Sequence, residues 1–373
     1  MKIFIINRHK DDILGGSEIQ CDIIARNLTK MGVEVIYVAM QSNHDFKLPY
    51  KVIPMTKYSP KEFGSFLFRH RPDVVYWRWN KTNLLSALRT THKYEIKFVF
   101  SLSHVNDVSK YRWHWEPKWR LPIYSAKTFL YSIKQSVLGY WNYQSFGEMD
   151  GVVCQLNSYF EKLPKRFNAS NSILIRNSID FQLGTNFLWP RPYVVWVANL
   201  KGPKRPELYI RLAKALEGEN VDFIMIGKIQ DSAYNYVNDS SRLPTNLHYL
   251  GKKSTQEVNA ILFNSLLMVH TCMPEGFPNN FIQAWSAGKP TITFSYDPDG
   301  IIEKFEIGFV SRDFEHFVEQ TRTLIYNPEL RNGMGQRAKA MAEKSFDAEI
   351  NTTKLYSFLK NLCQENKIKE ITR

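Results

Sequence analysis

Short apolar runs alternate with amphipathic segments along the first half of the chain. The segment from Ile19 to Leu28 has apolar residues at helical spacing, and the short runs have the length of strands. Alternation of strands and helices is typical of a parallel sheet with helices on both faces. The strands predicted in this half are Ile3–Ile6, Val35–Val38, Val52–Ile53, Val74–Trp77, Phe98–Ser101 and Gly151–Cys154.

The second half repeats this alternation after a linker. The segment from Asn177 to Pro192 is rich in turn-forming residues and predicts the linker. We therefore predict an α/β protein with two Rossmann-like domains, residues 1–180 and 181–345, followed by a helical segment, residues 346–373. Predicted strands here are Val194–Val197, Phe223–Ile226, Leu247–Tyr249, Leu267–His270 and Thr291–Phe294, and predicted helices are Pro206–Leu216, Ser254–Leu262 and Ala348–Leu362.

Size and composition agree with two soluble domains. The 373 residues suit two domains of roughly 180 residues each. No apolar run reaches the roughly 20 residues that span a bilayer, and the apolar N-terminus is too short for a signal peptide, so we expect a cytoplasmic protein. The widely spaced cysteines predict reduced packing residues rather than a zinc site or disulfides: Cys21, Cys154, Cys272 and Cys363.

The positive charge is concentrated in the first half. Residues 1–180 contain 26 Lys and Arg against 15 Asp and Glu, a net of +11, whereas residues 181–373 contain 23 against 21, a net of +2. A basic excess of this size indicates an anionic partner. Nucleic acid, anionic lipid and a substrate with a diphosphate all meet this description.

Three loops between predicted strands and helices carry residues suited to binding an anion or a sugar. The first is Gly15-Gly16-Ser17-Glu18, directly before a helix. Glycine lets backbone N–H groups approach a ligand, and a helix N-terminus favours an anion. The alternative is a plain strand-to-helix turn in which Ser17 caps the helix.

The second loop follows the first strand of the second half. Lys201, Lys204 and Arg205 lie within five residues, directly before a predicted helix. Ligands of parallel sheets bind outside the carboxyl ends of the strands, so these cations are placed to neutralise a leaving diphosphate. The alternative is a solvated basic turn.

The third loop, Pro274–Pro290, follows the strand that ends at His270. Within it, Asn279 or Asn280 is predicted to cap a helix that Gly288 ends. Free N–H groups at the start of this helix suit a phosphate.

Glu275 and Gln283 flank the start of the same helix, where they can hold sugar and ribose hydroxyls. Gly276 frees the backbone beside them. Asn280 and Gln283 also have the spacing of a capping box, which leaves a structural role for Gln283 open.

These loops, in this order, resemble those of the GT-B glycosyltransferases of family 4, or group 1, of the bacterial surface-polysaccharide type. Asn177-Ser178-Ile179-Asp180 is similar to the family's Asn-Gly-Val-Asp before the linker, and Arg71–Tyr76 and Glu148–Val153 are similar to its strand entries. The resemblance implies a GT-B fold, in which two Rossmann-like domains face each other across a cleft and the C-terminal helix returns to the N-terminal domain. It also implies that the N-terminal domain binds the acceptor and the C-terminal domain the nucleotide-sugar.

The resemblance assigns roles residue by residue. Glu275 resembles the first acid of the family's Glu-x7-Glu motif, which contacts donor sugar hydroxyls, and Gln283 stands at the second position, where glutamate is usual. Lys204 matches the lysine that binds the donor diphosphate. Asn199 stands where the family has an arginine, and we expect Arg205 to compensate. The alternatives are that Lys201 compensates or that phosphate binding is weaker than usual in the family. Further residues implied in donor binding are Gly276, Phe277, Pro278, Asn279 and Asn280.

In the N-terminal half, Gly15 and Gly16 resemble the loop beneath the diphosphate and acceptor. His104, after a predicted strand, resembles the family's histidine near the transferred sugar. The alternative for His104 is a structural histidine at a strand end.

The family is retaining and independent of metals, so the resemblance implies no cofactor. The acceptor hydroxyl then attacks on the face that the nucleotide leaves, and the departing phosphate takes its proton. Lys204 and Arg205 stabilise the leaving diphosphate and Glu275 orients the sugar in this scheme. Asp297-Pro298-Asp299 superficially resembles a metal-binding motif, but Gly300 follows it and we interpret it as a turn.

The stretch Tyr111–Tyr124 interleaves Trp and Tyr with Arg and Lys, and Trp77-Arg78-Trp79 adds to it. This composition suits a membrane interface. It also suits base stacking or simple packing onto the first domain. Together with the net charge of +11 in residues 1–180, it leads to the hypothesis of a polyprenyl-diphosphate-linked acceptor at the inner face of the membrane.

The sequence therefore predicts a glycosyltransferase that moves a sugar from a nucleotide-sugar to a glycan or lipid-linked glycan in polysaccharide biosynthesis. Capsule, O-antigen and exopolysaccharide are the product classes in view, and we expect no nucleic-acid partner. A sugar-nucleotide epimerase of GT-B fold and a non-catalytic binding protein for glycan or nucleic acid are the alternatives.

Overall fold

The computed structural model describes residues 1–13, 15–43, 47–104, 107–108, 126–165, 167–180 and 187–371. For residues 126–132, 135 and 365–371 the description covers the backbone only. The chain forms two compact units, the first made of Met1–Asn177 with Ala348–Arg373 and the second of Ser178–Asp347.

The first unit is built on a parallel sheet of seven strands in the order β3-β2-β1-β4-β5-β6-β7. Apolar side chains on both faces bury the central strands, as in β1, where Ile3, Phe4, Ile5 and Ile6 are inaccessible to solvent. The strands are β1 (Lys2–Asn7), β2 (Glu34–Met40), β3 (Lys51–Met55), β4 (Val74–Trp77), β5 (Lys97–Ser101), β6 (Gly151–Cys154) and β7 (Ser172–Leu174).

Helices follow most of these strands, as right-handed crossovers between parallel strands require. They are α1 (Gly16–Lys30), α2 (Pro60–His70), α3 (Leu84–His92), α4 (Ala126–Ser145) and α5 (Asn157–Glu161).

The second unit repeats the plan with six parallel strands in the order β10-β9-β8-β11-β12-β13. Its strands are β8 (Tyr193–Val197), β9 (Asp222–Ile226), β10 (Leu247–Tyr249), β11 (Leu267–His270), β12 (Thr291–Thr293) and β13 (Gly308–Val310). Its helices are α6 (Pro206–Ala215), α7 (Thr255–Asn264), α8 (Asn279–Ser286), α9 (Ile301–Lys304), α10 (Phe314–Tyr326) and α11 (Pro328–Ser345).

The C-terminal helix, α12 (Ala348–Ile371), belongs to the first unit. Leu355 and Leu359 are buried in the same core as α1 and β1, and Leu362 packs against Gly151 at the start of β6. Burying a leucine side chain contributes roughly 1.5–3 kcal/mol, so this helix contributes substantially to the first core.

The chain enters and leaves the second unit at neighbouring points. Ile179 and Asp347 form a parallel bridge, and the Ile179 N–H donates a 3.3 Å hydrogen bond to the Phe346 carbonyl. The two ends of the second unit therefore lie side by side.

The predicted fold of two Rossmann-like parallel sheets is confirmed. Each predicted strand is present, whereas β7 and β13 were not predicted from the sequence. Both are three residues long and only partly buried, so their side chains carry little periodic signal. Among the described residues, the helices are too short or too polar to cross a membrane.

Gly335 in α11 packs against the end of α8, and we predict that alanine is not tolerated there. A Cβ at Gly335 would lie 2.2 Å from the Gly288 carbonyl oxygen, which is a backbone atom that cannot turn away. We expect Gly335→Ala to destabilise the second unit by about 1–3 kcal/mol in urea-induced unfolding.

Gly333→Ala, two residues away in the same helix, is the matched control. The nearest atom to its added Cβ is Nη1 of Arg337 at 3.7 Å, so helix propensity should dominate and stability should rise by up to about 1 kcal/mol. Equal effects of the two substitutions would contradict the proposed close packing.

Candidate functional site

The candidate site lies at the carboxyl-terminal edge of the second sheet. The strand order reverses between β8 and β11, because β9 and β10 extend the sheet on one side and β12 and β13 on the other. Ligands of open α/β sheets bind outside the strand ends at such a switch point. The loop after β8 carries Lys204 and the loop after β11 carries Glu275, so the topology brings together residues 71 positions apart.

Hydrogen bonds fasten the Lys204 loop to the end of β11. Gly202–Lys204 form one 3₁₀ turn, and Arg205 takes the left-handed conformation with φ of 46°. The Lys204 carbonyl accepts a 2.7 Å hydrogen bond from the Thr271 hydroxyl, which accepts one of 2.9 Å from the buried Trp196 indole. A left-handed residue other than glycine is uncommon, and these contacts stabilise the turn that contains it.

Lys204 and Glu275 form a close ion pair. Nζ of Lys204 lies 2.5 Å from Oε2 of Glu275, and the two side chains are 19% and 28% exposed. Burial opposes ionisation of Glu275, but His270 and Lys204 outweigh it and lower the pKa of Glu275 to about 2. Burial likewise opposes the charge of Lys204, and Glu275 outweighs it and raises the pKa of Lys204. Both groups are therefore charged at neutral pH.

Two buried residues complete the surroundings of this pair. Nε2 of His270 lies 3.4 Å from Oε1 of Glu275, and the His270 side chain is 1% exposed. Burial lowers the pKa of His270 and raises the pKa of the Cys272 thiol to about 12. His270 and Cys272 are therefore neutral at neutral pH, and the charge of the cluster comes from Lys204 and Glu275.

Tyr296 holds the peptide that carries Glu275. Its hydroxyl lies 2.7 Å from the Glu275 carbonyl oxygen and 3.0 Å from that of Gly276. Burial raises the pKa of Tyr296, so the hydroxyl keeps its proton and donates to these carbonyls. The loop after β11 is thus fixed both at its backbone and at its carboxylate.

Arg205 lies across the ends of β11 and β12. Its Nε donates a 2.7 Å hydrogen bond to the Thr271 carbonyl, and Nη2 donates one of 3.1 Å to the Ser295 hydroxyl. Its guanidinium also lies 5.0 Å from the ring centre of Phe294. That Arg205 compensates for Asn199 in diphosphate binding stays a prediction.

Helix α8 begins at Asn279, and Pro278 occupies its N-cap position without a capping side chain. The expectation that Asn279 or Asn280 caps this helix is wrong, because both lie inside its first turn. The Asn280 amide instead donates a 2.8 Å hydrogen bond to the Val197 carbonyl at the end of β8. Gly288, with φ of 68°, does end the helix as predicted.

Asn199 and Gln283, which were also predicted to bind the nucleotide-sugar, form hydrogen bonds within the protein. Asn199 accepts a 3.2 Å hydrogen bond from the Lys228 N–H. The Gln283 amide donates a 2.9 Å hydrogen bond to Oδ1 of Asn259 on α7, and no capping box with Asn280 forms.

Phe277 is buried, with its ring 5.1 Å from the ring of Phe346 and 6.2 Å from that of Trp285. These contacts give Phe277 a packing role beside the site. Gly276, next to it, is partly exposed.

His270, Cys272 and Glu275 are a candidate metal-binding group among the described residues, since their ligand atoms lie within 4.8 Å of one another. This donor set is one that zinc uses. However, the Lys204 ammonium already lies 2.5 Å from Glu275 and occupies its carboxylate. These residues therefore fit an internal cation better than a metal ion.

Asp297 does not present its carboxylate to a metal. Oδ1 accepts a 2.9 Å hydrogen bond from the Ile302 N–H and Oδ2 one of 3.1 Å from the Glu303 N–H. The Asp297–Asp299 segment is therefore a turn before α9, as interpreted from the sequence.

In the first unit, the Gly15-Gly16 loop follows β1, and strand order reverses between β1 and β4. Gly15 is the N-cap of α1, so the alternative in which Ser17 caps this helix is wrong. The Ser17 hydroxyl instead accepts a 2.9 Å hydrogen bond from the Asn7 amide. Glu18 is buried and pairs with Arg8 at 3.4 Å.

His104 is exposed and follows β5 by three residues. Asp107 organises this loop, because its Oδ2 accepts hydrogen bonds from the N–H groups of Ser103 at 2.8 Å and His104 at 3.0 Å. Lys81, after β4, pairs with the same aspartate. Neither Lys81 nor Asp107 was predicted from the sequence.

A cavity of about 830 Å³ lies at the other edge of the first sheet, lined by residues such as Asp73, Lys97 and Asp150. Asp73 and Asp150 directly precede β4 and β6, and Lys97 is the first residue of β5, so all three lie at the amino ends of the strands. Ligands of parallel sheets bind at the opposite edge, so we do not assign this cavity to the site. The predicted aromatic and basic stretch, Tyr111–Tyr124, lies outside the described residues.

Residues 186–341 match the family described as glycosyl transferases group 1. Curated proteins gave no significant match to the chain. Solved structures with the same fold include HepE of Anabaena in complex with UDP and glucose, with a TM-score of 0.70 and 16% identity over 97% of this chain and 100% of that one.

Sucrose-phosphate synthase from Thermosynechococcus elongatus has a TM-score of 0.74 and 12% identity over 97% of this chain and 99% of its own. WaaG, a glycosyltransferase involved in lipopolysaccharide biosynthesis, has a TM-score of 0.69 and 14% identity over 96% and 99%. At these identities the likeness establishes the fold. The family match identifies residues 186–341 as a group 1 glycosyl transferase domain, and the solved structures show that the chain has the two-domain GT-B fold.

Proposed function

We propose that the chain is a retaining, metal-independent glycosyltransferase of family 4 that takes a sugar from a nucleotide-sugar. The observation that carries the proposal is the contact of Lys204 with Glu275 at the switch point of the second sheet. A cation and a carboxylate side by side match the two parts of such a donor, its anionic diphosphate and its hydroxyl-bearing sugar.

In this proposal, Lys204 binds the diphosphate and Glu275 accepts hydrogen bonds from sugar hydroxyls. Charge-assisted hydrogen bonds of this kind are stronger than neutral ones. The start of α8 follows Glu275 by four residues, and a helix N-terminus adds further favourable potential for phosphate. UDP is the first nucleotide to test, because HepE was crystallised with it.

The proposed reaction keeps the anomeric configuration. A bond forms between the acceptor oxygen and the anomeric carbon on the face from which the nucleotide leaves, and the bond from that carbon to the phosphate oxygen breaks. The acceptor proton passes to the departing phosphate. The protein contributes positioning and stabilisation of the negative charge that develops on the diphosphate, which is the task of Lys204.

We further propose a glycan or lipid-linked glycan acceptor in surface-polysaccharide biosynthesis, bound by the first unit. WaaG, of the same fold, acts in lipopolysaccharide biosynthesis. Roles for Gly15, Gly16 and His104 in this step rest on the family resemblance alone.

Helix α4 supports contact of the first unit with a membrane. Ile133, Val137, Tyr140 and Trp141 recur at helical spacing, and each is at least 37% exposed. Lys134, on the same helix, is exposed, and residues 1–180 carry a net charge of +11. An apolar and aromatic stripe with basic neighbours fits an anionic lipid surface.

Thermal-shift screening against UDP, GDP and their sugars tests the donor proposal. Stabilisation by a nucleoside diphosphate is the expected result, since a ligand that binds the folded state raises the unfolding temperature. Product analysis then separates transfer from epimerisation, because an epimerase changes the sugar without an acceptor. Absence of any nucleotide response would contradict the proposal.

We predict that Glu275→Gln lowers turnover at least about 100-fold, because it removes the charge that orients the sugar. The affinity for UDP alone should stay within a few-fold, since Lys204 remains. Steady-state kinetics and UDP titration measure the two effects. Glu329→Gln, an exposed acid at the start of α11, is the control and should leave both unchanged. Full activity of Glu275→Gln would remove Glu275 from the site.

We predict that Lys204→Met weakens UDP binding by roughly 10–100-fold, the range expected for a lost hydrogen bond to a charged group. Calorimetric titration with UDP measures the loss. Lys339→Met, an exposed lysine in α11, removes the same charge elsewhere in the unit and should bind UDP like the unaltered chain. Equal affinities for the two variants would show that Lys204 does not contact the diphosphate.

We predict that the protein sediments with vesicles containing phosphatidylglycerol at low salt and is released at high salt. A double substitution, Val137→Ser with Trp141→Ser, should lower the bound fraction about fivefold or more by removing exposed apolar area. Leu188→Ser, at a residue of the second unit that is 89% exposed, is the matched control and should not change binding. Sedimentation unaffected by the double substitution would exclude α4 as the contact.

A further inference from the structure

His270 is a buried polar residue directly behind Glu275, at the end of β11. Its side chain is 1% exposed, and its ring lies 4.5 Å from the ring of Phe281 and 6.3 Å from that of Tyr296. Position 270 continues an apolar strand, where an aliphatic residue would bury its side chain without a polar group. A buried imidazole here needs a polar partner.

Within the described part of the chain, neither ring nitrogen of His270 makes a hydrogen bond of good geometry, although the contact with Glu275 helps to lower the pKa of that carboxylate. Nε2 lies 3.4 Å from Oε1 of Glu275, at ion-pair range but longer than the usual 2.7–3.2 Å of a hydrogen bond. The resting structure therefore holds a donor that faces Glu275 over a contact longer than a well-formed hydrogen bond.

Lys204 explains why the contact between His270 and Glu275 stays long. It contacts Oε2 of Glu275 at 2.5 Å and satisfies the carboxylate. The proposed function requires the same ammonium to bind the donor diphosphate, so its contact with Glu275 must weaken when the donor binds. Glu275 is then a partly buried carboxylate next to an anionic ligand, which is unfavourable without another donor.

We propose that His270 is a positioning residue that takes over the Glu275 carboxylate when Lys204 turns to the diphosphate. This inference rests on the proposed function and deepens it. The neutral imidazole donates its Nε2 proton to Oε1, which keeps Oε2 available to the sugar hydroxyls. Tyr296 fixes the backbone of the same loop through the Glu275 and Gly276 carbonyls, so a small rotation of the Glu275 side chain closes the 3.4 Å gap.

Cys272 and Tyr296 do not replace His270 in this role. The Cys272 thiol also contacts Glu275, but a thiol is a weak donor. The Tyr296 hydroxyl is engaged by backbone carbonyls. Among the described neighbours of Glu275, His270 is thus the uncharged group with a strong N–H donor at its carboxylate.

The test compares His270→Phe, which keeps a ring and removes the donor, with His270→Gln, whose amide nitrogen reaches the place of Nε2. The probes are UDP and GDP, and UDP-glucose, UDP-N-acetylglucosamine and GDP-mannose, with kcat and KM measured for the sugar that is transferred. We expect His270→Phe to leave nucleoside diphosphate affinity within twofold. It should lower kcat about tenfold or more. It should also remove the difference in affinity by which the nucleotide-sugar binds more tightly than the nucleoside diphosphate. His270→Gln should restore most of kcat and most of the affinity contributed by the sugar.

Three outcomes overturn the inference. The first is unchanged kcat and sugar affinity in His270→Phe while UDP or GDP still binds. The second is equal loss of nucleoside diphosphate affinity and sugar affinity, which indicates a structural role. The third is no restoration by His270→Gln.

If the unaltered protein binds none of the nucleotides, the proposed function itself fails. Should His270→Phe not fold, the pair His270→Gln and His270→Asn replaces it, since asparagine cannot reach the Nε2 position. Higher kcat in the glutamine variant than in the asparagine variant then supports the inference, and equal values overturn it.

Discussion

The ion pair between Lys204 and Glu275 is the interaction on which the proposed site depends. It exists because two loops after neighbouring strands, β8 and β11, end at the same edge of the second sheet, where the strand order reverses. Strand register and the hydrogen bond from Thr271 to Lys204 set the positions of the loops. The pair therefore depends on the fold of the whole second unit.

Partial burial strengthens the electrostatic interaction between Lys204 and Glu275. Charges in a medium of lower polarity interact more strongly than in water, and an unpaired one is costly. The neutral imidazole of His270 and the protonated thiol of Cys272 add no further charge. A diphosphate is negatively charged, as the Glu275 carboxylate is. It can therefore replace Glu275 as the partner of the Lys204 ammonium.

Much of the architecture was predictable, because parallel strands buried on both faces are continuous apolar runs, as in β1 and β4. The short strands β7 and β13 carry too few residues for such a signal. Glu275 and Lys204 were predicted as site residues from their loops, whereas His270 and Tyr296, which contact Glu275 and its peptide, were not predicted. The signal for His270 was a histidine closing an apolar strand just before Glu275, but Tyr296 reaches the site only through tertiary packing. Asn279 or Asn280 was expected to cap α8, because a sequence cannot show that Pro278 occupies that position.

The bridge between Ile179 and Asp347 has a consequence for how such a protein diversifies. The second unit is one uninterrupted stretch inserted into a host made of two stretches, and its two junctions are neighbours. A unit that replaces the second unit therefore has to fit the backbone of the first unit at only one place, where both junctions lie. Recombination at residues 178 and 347 can therefore join a different second unit to the same host while the host keeps its own terminal helix. The ligand preference of the second unit can change in this way without any change to the first unit.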